Sequence, residues 1–491
     1  MPDFGFVGTS YSSPSIYQDD QECINFFAEI DPTKAQGERG IVALYPTPGL
    51  QTQVQLAASS EVRGMFTMSG GDYFVAVSGN RVYKVDVNMA ATQVGTLTTE
   101  SGPVSISDNQ TSDGLIAYIA DGVNRYFYNF TTNTFTTLPE TDGPWQGATV
   151  VDSVDGYNIY NQPGTFNWAC TDLESGLSTN AYYGSANGYP DDIVSLIVDR
   201  RQVYLLKEVT TEVWTDVGNL IEGLIGFPFQ RVPGTLMQSG CGAPFSVARF
   251  GNSFALVAKD TRGDATIEMI DGYTFKRIST HAVEQSLLNQ RTDNAVAFTY
   301  QIEGHEMYVV TFPSIGDGLT WVFDLTTQSW HKWLYWNADE AKYERHRANC
   351  GCFFQQMYLV GDYENGKIYS LENEQYTDDG HTIRRLRRAR HLTSGLQRQF
   401  FESFQIQFQP GVGLNTGQGQ DPQAMLRWSN DGGSTWSNEH WVSIGKQGNY
   451  VARAIWRRLG WSRDRIFEVA VSDPIKAVII SAELKASTGD N

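Results

Sequence analysis

The chain has 491 residues and a formal net charge of −19, with 41% hydrophobic and 19% charged residues. Its length exceeds what one hydrophobic core usually serves, and its apolar content is that of a globular protein, which excludes a disordered one. No run of about 18 apolar residues occurs, so we expect no membrane-spanning helix. The opening MPDFGFVG lacks the basic and apolar regions of a secretory signal.

Short hairpin patterns recur along most of the chain. Residues 73–77 and 81–86 are rich in Val and Tyr and flank a Ser-Gly-Asn turn. Similar pairs occur at 117–120 and 125–130, at 195–198 and 202–206, and at 307–312 and 319–324. Such runs, bounded by Gly, Asn or Asp, predict antiparallel strands. Only two short segments, 280–290 and 337–347, favour a helix.

The hairpin units repeat at a spacing typical of a β-propeller. Their centres are separated by 41 to 56 residues and lie near Tyr83, Phe127, Trp168, Val213, Met269, Phe323 and Tyr369. A four-stranded blade takes roughly 40–50 residues. The sequence therefore predicts an all-β protein with a propeller of six or seven blades, six being favoured. A stacked pair of β-sandwiches is the competing fold.

The pattern changes after about residue 390, which suggests a second domain. Strand-like segments resume at 424–428, 452–456, 466–471 and 477–482. We expect residues 1–50 to form an N-terminal arm that joins a small β domain built from the chain ends. Residues 51–390 then form the propeller, and residues 391–491 form the C-terminal β domain.

The C-terminal domain contains one Asp-box, the turn pattern S-x-D-x-G-x-T-W. Its residues are Ser429, Asp431, Gly433, Thr435 and Trp436. In this pattern the Asp side chain binds backbone amides and the Trp packs beneath the turn. A single Asp-box predicts a structural hairpin. Because sialidases also carry such boxes, a sialidase-like enzyme is the catalytic alternative.

Candidate metal and catalytic sites are weak. His346, Cys350 and Cys352 lie close in sequence, but the second ligand pair of a zinc site is missing. The five scattered cysteines are typical of reduced thiols in a protein assembled in cytoplasm. No G-x-S-x-G, H-E-x-x-H or P-loop pattern occurs. We therefore predict no enzyme activity, no metal and no cofactor.

Charge is distributed unevenly along the chain. Residues 1–380 carry a net −25, whereas residues 381–491 carry 15 Lys/Arg against 9 Asp/Glu, a net +6. DNA affinity depends on neutralising phosphates, so the acidic part is not expected to bind nucleic acid, although it can line a passage for DNA. The basic residues favour a contact with another subunit or an adaptor protein: Arg384, Arg385, Arg387, Arg388, Arg390, Arg457 and Arg458. A contact with DNA phosphates and a solvated strand with local ion pairs are the alternatives.

Several segments together resemble the tail hub family of short-tailed bacteriophages, also called phage stabilisation or nozzle proteins. The segments occur in the order and spacing typical of that family: 21–29, 44–50, 201–208, 211–214, 229–234, 240–248, 321–325, 330–333, 426–436, 458–460 and 464–467. The resemblance spans nearly the full chain.

This resemblance implies a structural protein of the virion tail. Members form a homohexameric ring below the portal and its adaptor, carry spikes or fibres, and hold a needle or plug at the tip. The ring retains the packaged genome and conducts duplex DNA through its lumen during ejection, without sequence-specific binding. The resemblance supplies no catalytic residues. A glycan-binding propeller, with Trp336 or Trp441 stacked on a sugar, is the non-catalytic alternative.

Overall fold

A computed structural model describes residues 5–31, 33, 42–179, 182–218, 226–259, 263–395 and 397–489 of the chain. The first five strands belong to the N-terminal arm and its continuation: β1 (Tyr11–Ser12), β2 (Asp20–Ile24), β3 (Phe26–Ile30), β4 (Val42–Pro46) and β5 (Gly49–Gln55). No helix among the described residues is long and apolar enough to cross a membrane.

Five antiparallel four-stranded blades follow, each formed by strands consecutive in the chain. Blade one contains β6 (Val62–Thr67), β7 (Tyr73–Ser78), β8 (Arg81–Asp86) and β9 (Ala91–Thr96). Blade two contains β10 (Ser105–Thr111), β11 (Gly114–Ala120), β12 (Arg125–Asn129) and β13 (Thr134–Thr137). Blade three contains β14 (Val151–Val154), β15 (Tyr157–Asn161), β16 (Asn167–Cys170) and β17 (Tyr183–Ser185). Blade four contains β18 (Ile193–Asp199), β19 (Gln202–Lys207), β20 (Thr211–Asp216) and β21 (Phe229–Arg231). After a 3-10 turn at Pro244–Ser246, blade five contains β22 (Ala248–Phe250), β23 (Ser253–Lys259), β24 (Ala265–Asp271) and β25 (Thr274–Arg277).

Two further blades complete the propeller. Blade six contains β26 (Val296–Ile302), β27 (His305–Phe312), β28 (Leu319–Asp324) and β29 (Ser329–Lys332). It follows the one α-helix of the described residues, α1 (His281–Leu287), and precedes a small hairpin of β30 (Leu334–Asn337) and β31 (Lys342–Arg345). Blade seven contains β32 (Ala348–Phe354), β33 (Met357–Asp362) and β34 (Lys367–Glu372), and its fourth strand is β5 from the beginning of the chain.

The blades form a closed ring. The first strand of the seventh blade contacts the first strand of the first blade, and the first strands of all seven blades line one central cavity. The described residues thus form seven blades, so the preference for six was wrong. The seven predicted repeat centres all lie on the third strand of a blade. The seventh blade is easily missed in a count from sequence, because its outer strand β5 and the strand β34 with which it pairs are about 320 positions apart.

The two predicted helices had different outcomes. The prediction at 280–290 is confirmed, since α1 lies within it. The prediction at 337–347 was wrong, because this segment forms the β30–β31 hairpin. The Asn337 side chain accepts hydrogen bonds from the amides of Asp339 and Glu340, which closes a turn where a helix would have begun. Trp336 and Tyr343 pair across the two strands.

The C-terminal part of the chain forms a β-sandwich with the N-terminal arm. Before it, a short hairpin of β35 (Thr377–Asp378) and β36 (His381–Thr382) extends the sheet of blade seven, where β35 pairs with β5. The sandwich strands of the C-terminal part are β37 (Arg385–Arg388), β38 (Leu392–Thr393), β39 (Gln399–Phe408), β40 (Gln423–Ser429), β41 (His440–Ser443), β42 (Ala454–Arg457), β43 (Trp461–Ser462), β44 (Asp464–Val471) and β45 (Ile479–Thr488). One layer pairs β2, β37, β44, β40 and β41, and the other pairs β3, β4, β45, β39 and β42. Between them, Phe404 stacks on Phe467 with ring centres 5.0 Å apart.

The propeller and the sandwich share a continuous sheet. Strand β2 pairs in parallel with β29 of blade six and antiparallel with β37, and β37 pairs with β44. An eleven-stranded sheet therefore extends from β26 in blade six to β41 in the sandwich. The predicted boundary at residue 390 had assigned β37 to the propeller, whereas its ladder partners lie in the sandwich layer and the arm.

Candidate functional site

The central cavity of the propeller is small. It has a volume of about 430 Å³ and is lined by the seven inner strands. Duplex DNA, whose major groove alone is about 12 Å wide and about 8.5 Å deep, does not fit into such a space. This cavity therefore cannot conduct a duplex.

The cysteines of the cavity wall and the nearby His346 are packed as structural residues. Cys350 and Cys352 line it, and burial raises the pKa of both thiols, that of Cys352 to about 12. His346 is fully buried, packs on Trp333 with ring centres 3.8 Å apart, and has a pKa lowered to about 3 by burial. Protonated thiols are poor metal ligands and poor nucleophiles. Among the described residues, no three His, Cys, Asp or Glu side chains are grouped to hold a metal.

The predicted arginine contact lies mostly inside the molecule. We use the name arginine seam for Arg384, Arg385, Arg387 and Arg388, which lie on or beside β37 between the arm and the sandwich. Arg385 and Arg387 are completely buried. These two residues therefore cannot contact another subunit, and that part of the prediction was wrong. The physical reason is the position of β37, which has a ladder partner on each side.

Arg387 binds the N-terminal arm to the sandwich. Its guanidinium donates to the carbonyl oxygens of Phe6 at 2.5 Å, Thr9 at 2.9 Å and Glu22 at 3.3 Å, and to the side-chain oxygen of Gln21 at 2.8 Å. Burial lowers its pKa. Because a buried guanidinium costs free energy unless it is hydrogen-bonded, these four acceptors fix the course of the arm.

Arg384 and Arg388 of the seam also form side-chain contacts within the chain. Arg388 pairs with Asp20 of the arm and with the buried Glu468 of β44. Arg384 donates to Glu439 at 2.7 Å and lies over the ring of Trp336. The basic cluster therefore connects the arm, the hairpin and the sandwich rather than facing solvent as a strip.

Arg385 is different, because its guanidinium has no hydrogen-bond partner among the described residues. It lies 5.8 Å from the ring centre of Tyr376. Burial lowers its pKa to about 10, while the nearby Asp378 opposes that shift. Burial in turn raises the pKa of Asp378 to about 7.

The Asp-box adjoins the seam. Asp431 accepts hydrogen bonds from the amide of Thr435 at 2.8 Å and from its hydroxyl at 2.7 Å, and these bonds lower the carboxyl pKa to about 2. The indole of Trp436 lies 4.9 Å from the guanidinium group of Arg388 and 4.8 Å from that of Arg427. These contacts are those of a structural turn.

A buried histidine relay connects the arm to blade six. His305 is only 3% exposed, and its ring nitrogens lie 2.7 Å from Asp324 and 2.5 Å from Glu29 of the arm. The hydrogen bond with Asp324 and the bond with Glu29 raise the pKa of His305 to about 9. Sequence reasoning missed this group, because Glu29 and His305 are 276 positions apart and the three residues form no local pattern.

The other predicted contact residues lie on the surface. Arg390, Arg457 and Arg458 are exposed. Arg457 and Arg458 border a pocket of about 270 Å³ that Trp441 and Trp456 also line. The structure thus separates the seven predicted arginines into two completely buried residues, two partly buried residues of the seam and three exposed ones.

Comparison with known proteins covers both domains. A family model described as bacteriophage P22 Gp10, β-propeller, matches residues 12–376, and one described as bacteriophage P22 Gp10, β-sandwich, matches residues 384–487. The crystal structure of the WD40 β-propeller domain of Doa1 is similar at 11% identity and a TM-score of 0.39, over 66% of this chain and 98% of that chain. No curated protein matches the chain.

Proposed function

Because the chain belongs to the bacteriophage P22 Gp10 family of phage structural proteins, we propose that it is a subunit of a homohexameric tail hub, or nozzle, of a short-tailed phage. In this role the ring lies below the portal and its adaptor. It retains the packaged genome, conducts it during ejection, and carries spikes or fibres outside and a needle or plug at its tip.

The observation that carries this proposal is the match to both Gp10 domains in their order, over residues 12–376 and 384–487. The small central cavity of the propeller supports a lumen shared by several copies, since the cavity within one copy is too small for a duplex. The sheet that continues from blade six through the arm into the sandwich supports a rigid building block rather than a pair of mobile domains.

The negative charge of residues 1–380 supports a lumen through which DNA passes without binding to the wall. Residues 1–380 carry a net −25, and an acidic wall repels phosphates instead of holding them. We therefore propose that the acidic residues line the lumen. A map of the assembled ring with a neutral or basic lumen would contradict this part of the proposal and leave the hub itself intact.

We expect assembly to take place in the host cytoplasm. To test the proposed hub, the purified chain is added to DNA-filled phage heads that were made without it. We expect the chain to bind below the portal adaptor as a ring with sixfold symmetry in electron micrographs, and to reduce DNA leakage from the heads. Heads that retain their DNA equally well without the chain, and that never carry a ring, would refute the proposal.

A further inference from the structure

One side of the sandwich ends in two open sheet edges. Strand β41 is the last strand of one layer and β42 the last of the other. Among the described residues, no strand pairs with the outer edge of either. The two edges lie side by side, since the indole nitrogen of Trp456 on β42 donates to the carbonyl oxygen of His440 on β41 at 2.7 Å.

Large apolar side chains are exposed along these edges. The sandwich flank, as we call this surface, contains Trp441, Tyr450, Val451, Arg457, Arg458 and Trp461. Trp441 is 60% exposed, Tyr450 73%, Val451 86% and Trp461 50%. Folded chains usually protect open sheet edges, and protein interfaces are enriched in Trp, Tyr and Arg. The sandwich flank therefore has the composition of a protein contact.

We infer that the sandwich flank binds the acidic propeller of a second copy of this chain, and that this contact builds the ring. The inference rests on the proposed function. Its main support is charge complementarity, because the flank belongs to a segment with a net +6 and the rest of the chain carries −25. Opposite charges across an interface favour encounter and suppress wrong partners.

The same charges select the geometry of the contact. If two flanks met each other, Arg457 and Arg458 of one copy would face the same arginines of the other, and the like charges would repel. The flank must then meet a different surface of its neighbour. Such head-to-tail contacts generate closed rings when the rotation between neighbours closes.

Duplex DNA is a poorer occupant of the flank. Its phosphates would neutralise the arginines, but this electrostatic term would leave the indole of Trp441 and the side chains of Tyr450 and Val451 in water. A second protein surface covers both the charged and the apolar groups.

A charge reversal with a matched control tests the inference. The flank variant combines Arg457→Glu with Arg458→Glu, and the control combines Lys476→Glu with Lys485→Glu. The control makes the same change of charge before and on β45 of the sandwich, outside both the flank and the propeller, and the Lys485 side chain is 61% exposed. Ring formation by the wild type and both variants is measured by sedimentation velocity over a concentration series and by micrographs after addition to heads made without the chain.

We expect the flank variant to associate roughly 30-fold more weakly or worse, as for loss of central interface residues, while the control keeps wild-type association. A second pair tests the apolar part. Val451→Asp should also weaken association, whereas Ile30→Asp, at a position 41% exposed on β3 at the opposite edge of the layer that ends in β42, should not. Circular dichroism and thermal unfolding identify any variant that has not folded.

The outcomes separate the inference from the proposed function. A wild-type chain that forms no ring, alone or on heads, refutes the hub and the inference with it. Rings formed equally by the wild type and by both flank variants refute only the inference. Flank variants that assemble normally but lose DNA binding, or lose binding to a glycan array, would assign the flank to that other partner instead.

Discussion

Replacing Arg387 should release the N-terminal arm without unfolding the rest of the molecule. The Arg387→Met variant keeps the long aliphatic side chain and removes the guanidinium. The carbonyl oxygens of Phe6, Thr9 and Glu22 and the side-chain oxygen of Gln21 then lose their donor. The damage is local because all four acceptors belong to the arm.

The expected magnitude follows from these bonds. A hydrogen bond to a charged group contributes about 1.5–3 kcal/mol, and a buried acceptor without a donor costs about 1–3 kcal/mol. The terms do not add fully, because removal of the guanidinium also removes its desolvation cost. We expect a loss of about 4 kcal/mol, which is about twice the contribution of one hydrogen bond to a charged group.

Hydrogen exchange of residues 5–24 measures this loss directly. A loss of about 4 kcal/mol corresponds to exchange roughly 700-fold faster in the arm, at about 1.4 kcal/mol per factor of ten. The matched control is Arg390→Met, the same substitution at an exposed position of the same segment, where we expect less than about 0.5 kcal/mol. Equal exchange of the arm in the two variants would show that Arg387 does not hold it.

Three further predictions concern the closure of the propeller by β5 and the contacts that join the arm to blade six and the sandwich. Gly49→Ala should lower the free energy of unfolding by about 1–3 kcal/mol, because a Cβ atom there would lie 2.5 Å from the carbonyl oxygen of residue 375 in the closing blade. Gly70→Ala, where the nearest atom would lie 3.9 Å away, should change the denaturation midpoint little. Folding raises the pKa of His305 from 6.5 to about 9, so the stabilisation that His305 provides is complete below pH 6.5 and is lost as the pH rises through 9. The thermal unfolding midpoint of the wild type should therefore fall between these pH values. The same fall in a His305→Gln variant would show that His305 is not its cause. Glu468→Gln should cost about 3–5 kcal/mol, because Glu468 is 1% exposed and holds two arginines; an unchanged denaturation midpoint would exclude that role.

The propeller was predictable because its signal is local. Each repeat contains a run of apolar and aromatic residues around a tight turn, and the seven centres chosen from the sequence all lie on third strands. Strands such as β7 and β11 are buried along most of their length, which explains why their composition is so distinctive. Periodicity of this kind needs no knowledge of distant contacts.

The arginine seam was misjudged for the opposite reason. A run of five arginines in seven residues is typical of an exposed basic strip. What buries Arg387 is an arm about 370 positions away in sequence, and what pairs with Arg388 is Glu468, 80 positions away. The residues next to these arginines in sequence do not predict such distant partners, and the same is true of the His305 relay.

The buried seam helps to connect the propeller to the sandwich through the N-terminal arm. The parallel pairing of β2 with β29 consists of a single residue pair, Ile24 with Lys332, so the ladder by itself is a weak connection. Asn25 reinforces it, because its side-chain amide donates to the carbonyl oxygens of residues 334 and 384 and its oxygen accepts from the amide of residue 334. Arg387 and His305 add charged hydrogen bonds on either side. Blade six and the sandwich are therefore both held to the arm by several hydrogen bonds in addition to the single ladder pair.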